Sequence, residues 1–333
     1  KSVHFSPDGS VQIVRKPEGV AQFVRTSTRE VFQEVTVAKE GTNWKGEHYV
    51  RADCSDVTFS ADLVGLYNNW GVLRIHRWRT GQLLSHMTIT DPDVIDRLAF
   101  GDEQIALSSD LSHFVIYQPS TTRANQTNQG LCWLFDIPSG RLVLELGGVF
   151  AVAALEDGRL IGALQSRQQQ RLQLWDLKAN RAILDFAGTH DWDADRGAFT
   201  RNGRYLAACE SGRCITVWDV QTGAQLLKAA LTPTEGFASD PQVSEDGRYL
   251  AAATFARGFG FRLAVWDVAT GNELWSRDFP PAKPAVKPPI FWNAASSWKL
   301  LKGPIILPDG KRFAAGPDEA HLRIWDLRTG ADE

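Results

Sequence analysis

The sequence predicts an all-β fold made of seven consecutive units of four antiparallel strands each. Three observations support this: one phrase recurs along the 333 residues, a tight-turn signal precedes each copy, and short β-rich runs flank both. The phrase is clearest as ITVWDVQTG at 215–223, LAVWDVATG at 263–271 and LRIWDLRTG at 322–330. Looser copies are FVRTSTRE at 23–30, LRIHRWRTG at 73–81, WLFDIPSG at 133–140 and LQLWDLKAN at 172–180.

The turn signals mark where the first strand of each unit ends. They are FSPDG at 5–9, FSADL at 59–63, FGDEQ at 100–104, LEDGR at 155–159, FTRNG at 199–203, VSEDG at 243–247 and ILPDG at 306–310. Most contain Asp-Gly or Asn-Gly, which tolerate the positive φ angles of a tight hairpin. Each unit therefore reads as strand, turn, strand, then the strand of the recurring phrase, a Thr-Gly turn and a fourth strand.

One position of the phrase recurs as a bulky side chain, usually tryptophan. Its predicted occupants are Val24, Trp78, Phe135, Trp175, Trp218, Trp266 and Trp325. A four-stranded sheet cannot bury its faces alone, so neighbouring sheets must pack together, and large flat side chains fill the space between them. We expect a structural role for most of these residues and for the aspartates that follow four of the tryptophans: Trp78, Phe135, Trp175, Asp176, Trp218, Asp219, Trp266, Asp267, Trp325 and Asp326.

The SPDG-type turns followed by VWDxxTG strands resemble the WD-repeat family over essentially the whole chain. In that family each repeat builds one blade, so the resemblance implies a single seven-bladed β-propeller spanning 1–333. The predicted blades cover about 1–38, 54–90, 94–148, 149–188, 194–234, 238–281 and 304–333. The first three copies lack the literal Trp-Asp pair. Only three residues follow Gly330, so we expect the last blade to lack its outer strand, either because the chain belongs to a longer protein or because that blade has three strands.

Composition narrows the function classes. The chain has 43% hydrophobic and 23% charged residues, which is typical of a globular protein. A net charge of −3 gives no electrostatic reason for nucleic-acid binding, and no apolar run is long enough for a membrane span. The four cysteines form no CxxC pair. We therefore expect a cytoplasmic protein with no cofactor, no metal ligands, no catalytic residues and no membrane partner.

The long insertions indicate where a partner would bind. In four consecutive antiparallel strands, the first-to-second and third-to-fourth turns share one end of the sheet, here called the turn end. The second-to-third connection and the links between sheets share the other, the loop end. All the long segments are predicted at the loop end: 39–53, 109–129, 189–197, 255–261 and 279–303.

The segment 279–303 combines five prolines with aromatic and cationic residues, a composition that suits a protein partner. The sequence also allows its aromatic residues to fold over the sheets as a lid. The candidate partner-binding residues are Trp44, Tyr49, Trp192, Lys283, Lys287, Phe291, Trp292, Trp298 and Lys299. The sequence thus predicts a non-catalytic interaction or sensing scaffold. Its partner would be a protein, a peptide or another domain of a longer chain. The sequence of its regular repeats favours a bacterial origin.

Two alternatives remain at this point. WDVATGNELW at 266–275 also resembles the tryptophan-docking phrase of quinoprotein propeller enzymes, although the adjacent cysteines of that family are missing. RGFGF at 257–261 matches the first positions of an RNA-recognition signature, without its later aromatic position. A weaker pattern, Asp191, Asp193 and Asp195, alternates like the first ligands of a calcium loop but lacks the bidentate glutamate.

Overall fold

The fold is described from a computed structural model. The structure describes these residues: 3–16, 19–42, 48–52, 54, 56–60, 62–68, 70–89, 94, 104–118, 121–123, 126–128, 130–166, 171–186, 194–210, 214–231, 235–238, 241–256, 260–279, 305–307, 309–315 and 323–332. They form two compact units. One comprises 1–121, 127–164 and 175–182, and the other comprises 122–126, 165–174 and 183–333.

The first three sheets belong to the first unit, and each has four antiparallel strands in chain order. Sheet one contains β1 (Val3–Phe5), β2 (Val11–Arg15), β3 (Val20–Arg25) and β4 (Val31–Thr36). A separate hairpin follows, β5 (Ala38–Thr42) with β6 (His48–Ala52). Sheet two contains β7 (Asp56–Ser60), β8 (Leu63–Asn68), β9 (Val72–Arg77) and β10 (Leu83–Thr88).

Sheet three has an insertion between its second and third strands. It contains β11 (Gln104–Leu107), β12 (His113–Gln118), β15 (Leu131–Asp136) and β16 (Leu142–Gly147). The insertion forms a hairpin of β13 (Thr121–Arg123) and β14 (Gln126–Asn128). Sheet four contains β17 (Val149–Ala154), β18 (Leu160–Ser166), β19 (Arg171–Asp176) and β20 (Arg181–Asp185).

The last three sheets lie in the second unit. Sheet five contains β21 (Ala194–Phe199), β22 (Tyr205–Glu210), β23 (Cys214–Asp219) and β24 (Gln225–Ala230). Sheet six contains β25 (Glu235–Ala238), β26 (Gln242–Val243), β27 (Tyr249–Ala256), β28 (Gly260–Asp267) and β29 (Glu273–Phe279). Sheet seven contains β30 (Ile305–Ile306), β31 (Arg312–Ala315) and β32 (Arg323–Asp326). The predicted all-β fold of seven antiparallel sheets is confirmed, and within the described residues the last sheet has three strands.

A bulge in the fourth strand identifies the equivalent position of each repeat. Trp218 pairs with Gln225 while its neighbour Val217 pairs with Leu227, so Leu226 is the additional residue. The same shift places Val24, Phe135 and Trp266 at the Trp218 position of their own sheets. We call this the plug position.

The plug position in sheet two differs from the prediction. The shift occurs where His76 pairs with Leu83, so His76 and not Trp78 is the equivalent of Trp218. The Trp78 amide donates to the Asp62 carbonyl, as the Val220 amide, which also lies two residues after its plug residue, donates to the Arg204 carbonyl. Trp78 is fully buried, so its side chain still packs in the core.

Residues at the plug position pack on the preceding sheet wherever the contacts are described. The Trp218 ring lies 5.7 Å from the ring of Phe186, which directly follows β20 of sheet four. Trp266 joins a buried cluster with Val217 and Leu227 of sheet five. Trp325 lies 6.1 Å from Phe279 of sheet six. Trp175 is only partly buried, but it packs on the cluster that joins sheets three and four.

The turn predicted at FGDEQ, residues 100–104, was wrong. Gln104 already begins β11, and the first-to-second turn of sheet three runs from Ser108 to Ser112. Leu111 takes the place of glycine in this turn, with a positive φ of 58°. Such a backbone is unfavourable for leucine, and Asp110 offsets the cost by accepting hydrogen bonds from the Ser112 amide and hydroxyl at 3.0 and 2.6 Å.

Replacing a buried plug residue should destabilise the fold strongly. We expect Trp266→Ala to lower the free energy of unfolding by about 3–5 kcal/mol, because it removes a large ring from a packed core. Chemical denaturation monitored by circular dichroism measures this. The matched control is Leu274→Ala on the same sheet, whose side chain is 38% exposed; it should cost less than about 1 kcal/mol. Equal losses from the two variants would contradict the structural role of the plug position.

Candidate functional site

Aspartates stabilise the individual turns at the turn ends of the sheets. In the third-to-fourth turns, Asp219 accepts hydrogen bonds from the amides of Gln221 and Thr222 at 2.8 and 3.1 Å. Asp267 and Asp326 accept bonds from the amides three residues later, at 2.9 and 2.7 Å. Short polar side chains that bond to their own turn in this way stabilise its conformation. The aspartates of the recurring phrase therefore act locally on the turn.

The first-to-second turns use aspartate in the same way and also bind the next sheet. Asp8 accepts bonds from the Ser10 amide at 3.0 Å and from the Ser6 hydroxyl at 2.9 Å, and Arg79 of sheet two pairs with it at 3.0 Å. Burial alone would raise the pKa of Asp8, but these hydrogen bonds and the Arg79 charge lower the pKa to about 2. The turn of sheet one is thereby fastened to sheet two.

Two further contacts between sheets repeat this pattern with different chemistry. Lys178 of sheet four donates to Asp110 of sheet three at 2.7 Å. Between sheets five and six the carboxylate lies on the later sheet and its partners are backbone groups: Glu245 accepts bonds from the amides of Arg201 and Asn202 at 2.7 and 3.0 Å. Because these side chains bridge adjacent sheets, the turn ends serve mainly to fix the sheets to one another.

One cluster at the turn end has the residue types of a nucleophilic site. Ser112 Oγ lies 2.6 Å from Asp110, 2.7 Å from His113 Nδ1 and 2.8 Å from Lys178 Nζ. With three such partners the hydroxyl has no remaining hydrogen-bonding capacity. Desolvation and the Lys178 charge lower the pKa of His113, against the opposing charges of Asp136 and Asp110. The cluster is best explained as a contact between sheets three and four.

The loop ends carry the additions to the repeat. The hairpin of β5 and β6 lies in the link between sheets one and two, and the hairpin of β13 and β14 lies in the second-to-third connection of sheet three. The segment predicted at 109–129 needs a correction, because 109–112 form a turn at the opposite end and 113–118 form β12. The insertion itself occupies 119–130.

Sheet six is extended at its loop end. Its second and third strands have eight residues each, against six in sheet five, and they pair as far as Ala256 with Gly260. The first strand is divided into β25 and β26, which both pair with β27. Register shifts of this kind are frequent at sheet margins and near binding sites. Phe261 pairs with Phe279, so the proline-rich segment departs from this same extension.

Most of the candidate partner-binding residues lie outside the described residues. These are Trp44, Trp192, Lys283, Lys287, Phe291, Trp292, Trp298 and Lys299. Tyr49 lies in β6, opposite Gly41 of β5. The remaining patterns are also only partly described: Asp191 and Asp193 lie outside the described residues, while Asp195 lies in β21. The predicted partner surface therefore stays a prediction.

Sequence reasoning missed Trp70, which lies at the loop end of sheet two and is partly buried. Its turn is closely held, because Asn68 Oδ1 accepts bonds from the amides of Trp70 and Val72 at 3.2 and 2.9 Å. Gly71 has a φ of 81°, and a Cβ there would lie 2.9 Å from Ile89. The sequence signal that could have identified Trp70 is its position within an Asn-Asn-Trp-Gly turn.

Trp275, the last residue of the quinoprotein-like phrase, has a structural contact. Its indole nitrogen donates to the Leu327 carbonyl of sheet seven at 2.9 Å, and its ring lies 5.4 Å from Phe313. A Cβ on Gly330 would approach the Trp275 ring to 2.7 Å. Joining sheets six and seven therefore explains this tryptophan without a cofactor.

Two kinds of site are absent from the described residues. No group of three or more histidine, cysteine, aspartate or glutamate side chains there is arranged to hold a metal ion. Within the same ranges, no helix has the length and apolarity that crossing a membrane requires.

Comparison with known proteins establishes the fold class. The chain is similar to the structure titled Dos1 propeller, with a TM-score of 0.60 at 12% identity, covering 98% of this chain and 78% of that one. It is also similar to the computationally designed Ika8 protein, with a TM-score of 0.57 at 15% identity, covering 99% and 84% of the two chains. The seven sheets therefore form a β-propeller, and at these identities the likeness concerns the fold alone.

Sequence comparison gives a more distant relation. The chain is 29% identical to the angio-associated migratory cell proteins of Homo sapiens, Pongo abelii and Canis lupus familiaris over a region covering 21% of this chain. The match spans about a fifth of the length of those relatives. No family model matches the chain.

The contact between Lys178 and Asp110 should contribute measurably to stability. We expect Lys178→Met to lower the free energy of unfolding at pH 7 by about 1 kcal/mol, because it removes a charged hydrogen bond that is partly shielded from water. Urea denaturation measures the loss, and Lys311→Met, an exposed lysine in a turn of sheet seven, is the control.

The same variant should show a defined pH dependence. Burial opposes ionisation of Asp110, but Lys178 and Ser112 outweigh it and lower its pKa below the ordinary 3.8. A carboxyl group with a lowered pKa stabilises the fold above its unfolded pKa, and that stabilisation is lost as the pH falls below it. The difference between wild type and Lys178→Met should therefore shrink below about pH 3.8. A difference that grows in acid would contradict the assignment.

Proposed function

We propose that this chain is a non-catalytic interaction scaffold that binds a protein or peptide through the loop ends of its sheets. One observation carries the proposal: the turn ends use their polar side chains to hold adjacent sheets, whereas the described additions to the repeat all lie in loop-end connections. Loops on a rigid framework are the usual location of binding residues. The β-propeller fold and the resemblance to WD repeats support a binding role.

The extension of sheet six is the proposed centre of the binding surface. There β25 and the lengthened β27 and β28 form the base, and the segment 280–303 follows directly from β29. That segment supplies Phe291, Trp292 and Trp298, residue types that often dominate binding energy, together with lysines that favour an acidic partner. We further propose that the scaffold acts in the cytoplasm of a bacterium, as a sensing module or as a domain of a longer protein.

Removal of the proline-rich segment tests the proposal. We expect replacement of residues 283–300 by a short Gly-Ser linker to abolish partner recovery by affinity capture, because the aromatic anchors are lost. The thermal unfolding midpoint should change little, since surface connections contribute little to stability. Capture followed by mass spectrometry, with calorimetry on the same preparations, measures both results.

The point variants refine this test. Phe291→Ala combined with Trp292→Ala should lose the partner, while Lys311→Met at a turn end should retain it. Unchanged capture after the replacement of 283–300 would contradict the proposal. A large fall in the unfolding midpoint would show that the segment instead covers the sheets as a lid.

The two alternatives predict different ligands. A quinoprotein-like enzyme should show cofactor absorbance or bind added quinone with calcium, and an RNA-binding surface at 257–261 should retain labelled RNA at physiological salt. We expect no binding of quinone with calcium, because Trp275 already has a structural contact. We expect no retention of labelled RNA, because the chain carries a net charge of −3.

A further inference from the structure

The replacement of a plug residue by histidine gives sheet two a property that tryptophan cannot supply. His76 occupies the position taken by Trp218, Trp266 and Trp325 in other sheets, and only 3% of it is exposed. Its ring lies 5.6 Å from the Phe23 ring of sheet one. A titratable side chain therefore lies in the packed contact between sheets one and two.

The hydrogen bond of the imidazole fixes which nitrogen carries the proton. Nδ1 lies 2.8 Å from the Gly81 carbonyl oxygen. A carbonyl only accepts, so Nδ1 is the donor and Nε2 is the unprotonated nitrogen of the neutral ring. Nε2 is buried and has no hydrogen-bond partner among the described residues. A proton added in acid would go to Nε2 and create a buried cation whose new N–H has no acceptor there.

The surroundings offer this cation no compensating charge. The titratable or charged residues on the neighbouring strands and turns are Arg25 on β3, Glu34 on β4, Asp62 before β8, Tyr67 on β8, Arg74 and Arg77 on β9, Arg79 after β9 and His86 on β10. Asp62 pairs with Arg77 at 3.3 Å, and Glu34 accepts a hydrogen bond from Gln22. Within the described residues, no carboxylate bonds to His76. Desolvation lowers the pKa of His76, and the Arg74 charge lowers it further, against the bond to Gly81.

The contact beside His76 is close and would respond to a change there. Gly81 has a φ of 73°, and a Cβ on it would lie 2.7 Å from Gln33 of sheet one. The Gly81 amide also donates to the Arg77 carbonyl at 2.8 Å, which closes the third-to-fourth turn. Movement of the imidazole would thus disturb the turn that bears on sheet one, and β5 and β6 lie in the link between these same two sheets.

We propose that His76 is an acid-sensitive element that loosens the contact between sheets one and two when its imidazole is protonated. The neutral ring packs as an aromatic plug. The charged ring is expelled from the apolar contact or forces water into it, because a buried unpaired charge is costly. This inference is independent of the proposed function and adds a response to pH.

Hydrogen exchange measured from pH 7.5 to 5 tests the proposal. After correction for intrinsic exchange rates, the opening constants of amides in β3 and β9 of wild type should rise below about pH 6.5. The rise can reach tenfold per pH unit, the limit for uptake of one proton. His76→Phe should show no such rise, because it keeps a ring and cannot titrate. His86→Gln, which changes an exposed histidine on the same sheet, should behave as wild type.

Two results would overturn the proposal. One is the same pH dependence in His76→Phe as in wild type. The other is an NMR titration of wild type that gives His76 a pKa at or above 6.5, since a group stabilised in its charged form cannot loosen the contact in acid. If His76→Phe fails to fold, His76→Gln replaces it in the exchange measurement, and the NMR titration needs no variant.

Discussion

The structure depends on one repeated contact, in which a bulky side chain on the third strand of a sheet packs against the preceding sheet. A four-stranded sheet with two apolar faces is not stable alone, so this contact is what makes the repeats fold together. Trp218 on Phe186 and Trp325 on Phe279 show the usual aromatic form. His76 on Phe23 shows that the position tolerates a smaller and more polar ring.

The same constraint shapes the turn ends of the sheets. Side chains at the turn ends stabilise the turns and connect adjacent sheets. The connections between sheets are the pairs Arg79 with Asp8 and Lys178 with Asp110, and the bonds that Glu245 accepts. A substitution there changes how two sheets fit. The additions to the repeat that the described residues show, two hairpins and the extension of sheet six, lie at the loop ends.

Much of the fold followed from the sequence because turn and plug are both local signals. Asp-Gly turns and the Trp-Asp phrase were sufficient to predict seven sheets and the incomplete last one. These signals were misleading where one residue type replaced another. In LRIHRWRTG the tryptophan pattern indicates Trp78, but the strand register places His76 at the plug position. The turn at Leu111 was missed because a leucine with positive φ has no sequence signature. The Asp110 carboxylate maintains that turn by accepting hydrogen bonds from Ser112.

The candidate site was less predictable for a physical reason. Trp275 takes its role from contacts with sheet seven, which the sequence near it does not encode. Trp275 looked like part of a cofactor motif until its bond to Leu327 explained it. Insertion length indicates which end of the sheets is free to vary, but it does not specify which side chains converge there.

A double-mutant cycle on Phe186 and Trp218 tests the central contact most directly. Each residue is truncated to alanine alone and together, and the free energies of unfolding are compared. If the aromatic contact holds sheet five on sheet four, the two losses should be coupled by about 0.5–1.5 kcal/mol. Losses that add to within about 0.3 kcal/mol would show that the rings contribute independently, and the account of how these sheets are joined would be wrong.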